Sequence, residues 1–167
     1  RIDTGQYECF ENNFRIRRSW GCRLRHRSET WFRGVQADMK ICDEPQEEIT
    51  RVAFEASREV LPEDFTFDDM RKQLGHWRLR GIFDNDKCVG AIMDNEGIVH
   101  ISVLPEARRQ WASRNLLKQA IHGAMIDGKV STFVFNGDRE RAKFAERLGF
   151  IRKTENDEVA RYDYVIH

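Results

Sequence analysis

The stretch HISVLPEARRQWASRNLLKQAI, residues 100–121, gathers the residue types best suited to chemistry. A strand runs through Ile101, Ser102 and Val103 to Pro105. Arg108, Arg109, Gln110, Trp111, Ala112, Ser113 and Arg114 then lead into an apolar-spaced helix. Strand, short loop and helix start make an anion cradle, because first-turn amides lack partners within the helix and carry partial positive charge. Glycines normally let such a backbone close on a phosphate. Here Trp111 and Ser113 stand where glycines would be most useful, and Arg108, Arg109 and Arg114 supply side-chain charge instead. A serine amide and hydroxyl can both face a phosphate, whereas an indole either turns to solvent or fills the groove. The plainer reading of 108–114 is an arginine-rich helix start.

The same segment holds a proton-transfer candidate. His100 has an ordinary pKa near 6.5, suited to exchange around neutrality. Glu96 and Asp94, in the turn before its strand, are alternatives acting through water. Ser102 lies two positions along the same face and can hydrogen-bond His100. A histidine on a strand also serves purely structural ends. Further on, Asn136 and Asp138 follow a strand and precede a helix, where capping accounts for either residue.

These residues need elements to hold them. The pattern VQADMKIC (35–42) predicts a strand, and Pro45 opens a helix with Ile49, Val52, Ala53, Ala56 and Val60 on one face. Thr66 caps a second helix, with Asp69 at the reciprocal position and Phe67, Met70 and Leu74 sharing a face. Trp77 follows as cover for the core edge. The period then becomes two: 79–83, 87–93 and 97–104 read as strands of an antiparallel meander, turned at DND and DNEG. Gly90 marks a bulge or a close approach within the second of them. Leu116, Leu117, Ala120, Ile121 and Ala124 define a helix, and VSTFVF (130–135) a strand parallel to 97–104. A helix over RERAKFAERLG, with Phe144 and Leu148 buried, ends at Gly149. Strands at about 150–155 and 160–166 finish the chain. The fold class is α+β: a mixed, mainly antiparallel sheet in the order β-α-α-β-β-β-α-β-α-β-β, with helices on both faces.

The 167 residues suffice for one substantial core, here taken as residues 35–167, and 40% hydrophobic with 34% charged content is globular. Lys plus Arg equals Asp plus Glu at 28 each, so no overall field draws the chain to nucleic acid or membrane. Residues 1–34 differ. Eight arginines face four acids there, interleaved with aromatic residues. That is either an arm for nucleic acid, the only place where such binding is expected, or an extension that packs its rings on the domain. No run approaches the length of a membrane span and no export signal is legible, so a cytoplasmic protein is expected. Cys9, Cys22, Cys42 and Cys88 are scattered, which fits reduced thiols. Cys9, Cys22 and His26 fall short of a zinc ligand set, and no metal is expected.

This order of elements, over about residues 36–166, resembles the GNAT superfamily of acetyl-CoA-dependent N-acetyltransferases. The family's Val-x-Pro-x-x-Arg-Gly-x-Gly-x-Gly followed by paired leucines is matched by Val103, Pro105, Arg108, Leu116 and Leu117. Its Phe-Tyr-Glu-Lys-x-Gly-Phe is matched by FAERLGF, residues 144–150. The resemblance implies that acetyl-CoA is the cosubstrate, its pyrophosphate meeting the amides from Arg109 to Arg114 and its pantetheine arm the backbone of Ile101 to Val103. It also implies cofactor contact near Asn136 or Asp138, and a small-molecule or protein amine as acceptor, with His100 or Glu96 as base. Arg109, Trp111 and Ser113 replace the family's glycines. Ala145 replaces a tyrosine that often protonates the leaving thiolate, and Tyr162 and Tyr164 are possible substitutes. The alternative implied by these departures is a catalytically silent GNAT-fold module that binds a protein partner, similar to divergent phage members associated with virion assembly.

Overall fold

A computed structural model describes residues 39–108 and 112–166 of the chain. Elements run β1 (Met39–Cys42), α1 (Gln46–Ser57), α2 (Phe67–Gln73), β2 (Arg78–Asp84), β3 (Lys87–Asn95), β4 (Ile98–Val103), α3 (Arg114–Gly123), β5 (Lys129–Phe135), α4 (Arg139–Arg147), β6 (Ile151–Glu155) and β7 (Val159–Val165). The strands form one sheet in the order β1-β2-β3-β4-β5-β7-β6. All neighbours are antiparallel except β4 and β5, which are parallel. The expected element order and the parallel pair are both present.

Each face of the sheet carries its own core. Ile82, Ile92, Val99 and Val130 pack with Leu116, Leu117 and Ile121 of α3 and with Ala145 of α4. Phe83, Ala91 and Met93 pack on the other face with Ile49, Val52 and Ala53 of α1 and Met70 of α2. A bulge interrupts the alternation in β3: Ile82 pairs with Gly90 but Phe83 with Cys88, so Val89 is extra. The inserted residue shifts the facing by one, so Cys88 and Ala91, three apart, meet the same core. Gly90 combines both sequence expectations, since a Cβ there would stand 2.9 Å from the Ser102 carbonyl oxygen of β4.

Local chemistry sets the helix ends. Thr66 and Asp69 form the reciprocal cap on α2, and those hydrogen bonds hold the Asp69 carboxyl below its ordinary range. Pro45 is the N-cap of α1 and not part of its first turn, and α1 stops at Ser57, which leaves Val60 half-buried beyond it. Past α4, Gly149 has φ +95°, the Phe150 N–H reaches the Ala145 carbonyl at 3.1 Å and the Gly149 N–H reaches that of Glu146 at 3.0 Å. This is the paired-bond helix stop that glycine permits. No helix among the described residues is long and apolar enough to cross a membrane.

Candidate functional site

The parallel strands β4 and β5 are joined at one end only. Ile98 pairs with Ser131, whose N–H reaches the Gly97 carbonyl at 2.7 Å, and no further pair follows. Beyond that point the strands part around a cavity of about 760 Å³, lined by Ile101, Ser102 and Val103 on one side and Thr132 to Phe135 on the other. That volume suits an organic ligand. The Leu104 N–H points to Val89 in β3 and the Gly97 carbonyl points to β5. Alternation along a strand therefore aims the N–H groups of Ile101 and Val103 into the gap. These are unpaired strand-edge groups awaiting a partner.

Side chains of even-numbered β4 residues project into the same cavity from the face of α1 and α2. His100 and Ser102 both line it. The Ser102 hydroxyl lies 3.0 Å from the Ser57 hydroxyl of α1, so its partner is Ser57 and not the expected His100. Glu96 also lines the cavity, exposed in the β3–β4 turn at φ +46°. Asp94 does not serve as an alternative. It receives two hydrogen bonds from Arg80, at 3.1 and 3.0 Å, in a nearly buried ion pair.

The phosphate-cradle residues divide into three groups. Arg109, Gln110 and Trp111 lie outside the described residues. Arg108 lines the cavity, but its guanidinium makes two 3.1 Å bonds to Glu59 and its Nε donates to the Val103 carbonyl at 3.3 Å. Its charge is thus shared with α1's end. Ala112 is half-buried, and Ser113 is the N-cap of α3, its hydroxyl accepting from Leu116 N–H at 3.2 Å while its carbonyl accepts from Leu117. Helix geometry leaves the Arg114 and Asn115 amides at the open end of that first turn. At the other end of α3, Arg80 donates to the Ala120 carbonyl at 3.0 Å and Arg78 to that of Gly123 at 3.2 Å.

Asn136 and Asp138 are both occupied structurally. Asn136 donates its side-chain amide to the Asn156 carbonyl at 2.6 Å, and Asp138 caps α4 through the Arg141 N–H at 3.0 Å. The capping alternative describes Asp138. Asn136 instead ties two loops together. The thiol expectation rests on Cys42 and Cys88, which are free; burial pushes the Cys88 thiol up to about 11. Cys9, Cys22, His26 and the arginine arm lie outside the described residues.

Burial holds the His100 imidazole down to about 4, so it is neutral at physiological pH. Its ring centroid sits 5.6 Å from that of Trp77 and 6.5 Å from that of Phe133. The unfolded chain takes up a proton between about pH 6.5 and pH 4 that the folded protein refuses, so His100 lowers stability as pH falls through that window and adds no further slope below it. Because the ring keeps some access to the cavity, the expected loss is about 1–3 kcal/mol. Urea midpoints at pH 7, 5.5 and 4.5 should show a smaller acid loss in His100→Gln than in the wild type. Equal losses would contradict the burial.

The tyrosines do not reach the cavity. Tyr162 is 3% exposed within the core on the α3 and α4 face, and Tyr164 packs there against Phe150 at 5.5 Å. Ala145 is likewise buried in that core, while Phe144, expected inside, is 37% exposed and lines the cavity. Restoring tyrosine by Ala145→Tyr would therefore overpack the core, lowering stability by about 1–3 kcal/mol in urea titration without supplying a proton donor.

Sequence reasoning missed most of the aromatic lining. Trp77, Phe133, Phe135 and Phe144 all border the cavity. Strict alternation in β5, with Val130 and Val134 on the core side, was the signal for Phe133 and Phe135. Nothing comparable marks Gln73, whose side-chain Nε2 is buried without a hydrogen-bond partner.

A family model described as an acetyltransferase (GNAT) domain matches residues 43–165. No curated protein matches the sequence. Among solved structures, a spermidine N-acetyltransferase from Vibrio cholerae in complex with CoA and spermine is similar at TM-score 0.62 and 12% identity, covering 77% of this chain and 95% of that one. An acetyltransferase from Thermus thermophilus is similar at TM-score 0.55 and 15% identity, covering 77% and 97%. At such identities the likeness establishes the fold.

Proposed function

Since the chain belongs to the GNAT acetyltransferases, for which acetyl-CoA is the acetyl donor, we propose that it acetylates a small-molecule amine in the cavity between β4 and β5. The single observation that carries this reading is the one-pair junction of β4 and β5 with the Ile101 and Val103 amides turned into the gap. The residues present fit the donor. An extended amide-bearing arm can take the strand-edge bonds of Ile101 and Val103, and a pyrophosphate can take the Arg114 and Asn115 amides at the start of α3.

The donor supplies a thioester carbonyl; as the amine nitrogen bonds to it, the carbon–sulfur bond breaks and CoA leaves as a thiolate. An alkylammonium has a pKa of about 10, so it must lose a proton before attack. In this reading Glu96, exposed in the β3–β4 turn where it lines the cavity, takes that proton through water. His100, neutral and nearer the enclosed end, can accept a hydrogen bond from the attacking N–H through a ring nitrogen. An alkyl thiolate can leave and be protonated by solvent, so the lack of a tyrosine in the described lining slows the reaction without forbidding it.

Calorimetric titration with acetyl-CoA, followed by thiol release in the presence of amines, tests the proposal. Micromolar binding and amine-dependent release are expected. Absence of heat and of any thermal shift at millimolar acetyl-CoA would defeat it.

A further inference from the structure

Resting on the acetyl-transfer reading, we propose that Ser102, oriented by Ser57, is a catalytic residue that donates a hydrogen bond to the sulfur of the departing CoA. The two hydroxyls stand 3.0 Å apart where the last residue of α1 meets β4, and both residues line the cavity half-buried. Neither hydroxyl has another partner among the described residues. A bond between two hydroxyls uses one hydrogen and leaves the other without an acceptor. With the Ser57 hydrogen in the shared bond, the Ser102 hydrogen is left for the cavity. It is a stronger donor there, because its own oxygen accepts from Ser57.

Position makes sulfur the acceptor. Ser102 lies between Ile101 and Val103, whose N–H groups face the gap, and its side chain turns to the α1 side of the same opening. An arm that takes both amides, with its pyrophosphate at the start of α3, runs back along β4 and brings its thioester end to this stretch. Other hydroxyls face elsewhere. Tyr162 is buried in the core under α3 and α4, and Thr132 on β5 shares the facing of Val130 and Val134 toward that core. In the reaction the amine nitrogen bonds to the carbonyl carbon and the electron pair of the carbon–sulfur bond passes to sulfur. The thiolate then takes its proton from solvent, while Ser102 keeps its own. A hydrogen bond to a group gaining charge strengthens as the charge builds, so it favours the transition state over bound acetyl-CoA.

Calorimetry on the full chain with CoA and with desulfo-CoA supplies a readout independent of turnover. Between about pH 7 and about pH 9 the wild type should gain affinity for CoA over desulfo-CoA by about fivefold, as the bound thiol ionises. Ser102→Ala should abolish that gain and lower kcat by about tenfold, with KM for acetyl-CoA and the urea midpoint unchanged. Ser102→Thr keeps a hydroxyl on a strand that tolerates β-branching, and should restore both. Ser57→Ala should cut the gain to about twofold, because Ser102 loses the neighbour that orients it. A pH-dependent gain that survives Ser102→Ala, or that Ser102→Thr fails to restore, overturns the inference. Equal binding of CoA and desulfo-CoA by the wild type at both pH values overturns it as well and leaves the transferase reading standing. Failure of the wild type to bind either molecule defeats the transferase reading itself.

Discussion

Replacing Ile101 with proline should reduce acetyl-CoA turnover by about 100-fold while leaving the protein folded. Proline removes one backbone N–H, and the damage depends on where that N–H points. In β4 the direction alternates: Leu104 N–H serves the ladder to β3, so Ile101 N–H faces the gap beside β5. Loss of a donor in the gap leaves the β3 ladder whole but deprives an extended ligand arm of one anchor, displacing the thioester from the amine. Ser102→Pro strikes the opposite side and should destabilise the sheet itself. Ile101→Ala controls for the lost side chain, which packs against the α3 core. Acetyl-CoA affinity and kcat/KM, measured beside urea midpoints, separate the three. If Ile101→Pro behaves as Ile101→Ala does, the arm does not lie along β4.

The second large effect is on stability. Asp94→Ala should cost about 3–5 kcal/mol in denaturant unfolding, because it strands the Arg80 guanidinium in the interior. Arg80 is 4% exposed and bonds Asp94 and the Ala120 carbonyl together. Changing both partners to apolar residues, Arg80→Met with Asp94→Leu, should recover much of the loss, since the penalty comes from the uncompensated charge. A single variant as stable as the wild type would show that water reaches the guanidinium. A second buried carboxylate, Asp163 on β7, behaves differently with pH. Burial alone would raise it, yet hydrogen bonds from Ser131, Lys129 and Arg161 hold it below the ordinary carboxylate range. Its contribution is therefore present above about pH 4 and is lost as acid protonates it.

Much of this arrangement was legible in the chain. Period-two runs gave the meander, and Thr66 with Asp69 and Gly149 marked helix ends whose geometry the structure reproduces. These signals are local, and local chemistry settles them. The partners of Ser102, Arg108 and Asp94 were not legible, because Ser57, Glu59 and Arg80 are brought beside them only when α1 and β2 pack on the meander. Phe144 and Ala145 show the same limit. The helical period says that adjacent residues face apart, but the place where the sheet opens decides which of the two meets the cavity. The β4–β5 junction is tertiary in the same sense: the sequence predicts the parallel pairing, while its restriction to the single pair Ile98 and Ser131 has no local signal in either strand.

That short junction has a mechanical corollary. Strands β1 to β4 and strands β5 to β7 are two ribbons stitched at Ile98 and Ser131, and a guest lying in the slot would supply the missing rungs. Amide protons of Ile101 and Val103 should then exchange quickly in the empty protein and slow down on loading. On the proposed reading the cosubstrate would act as a transient eighth strand, so occupancy and the rigidity of the whole sheet would rise together.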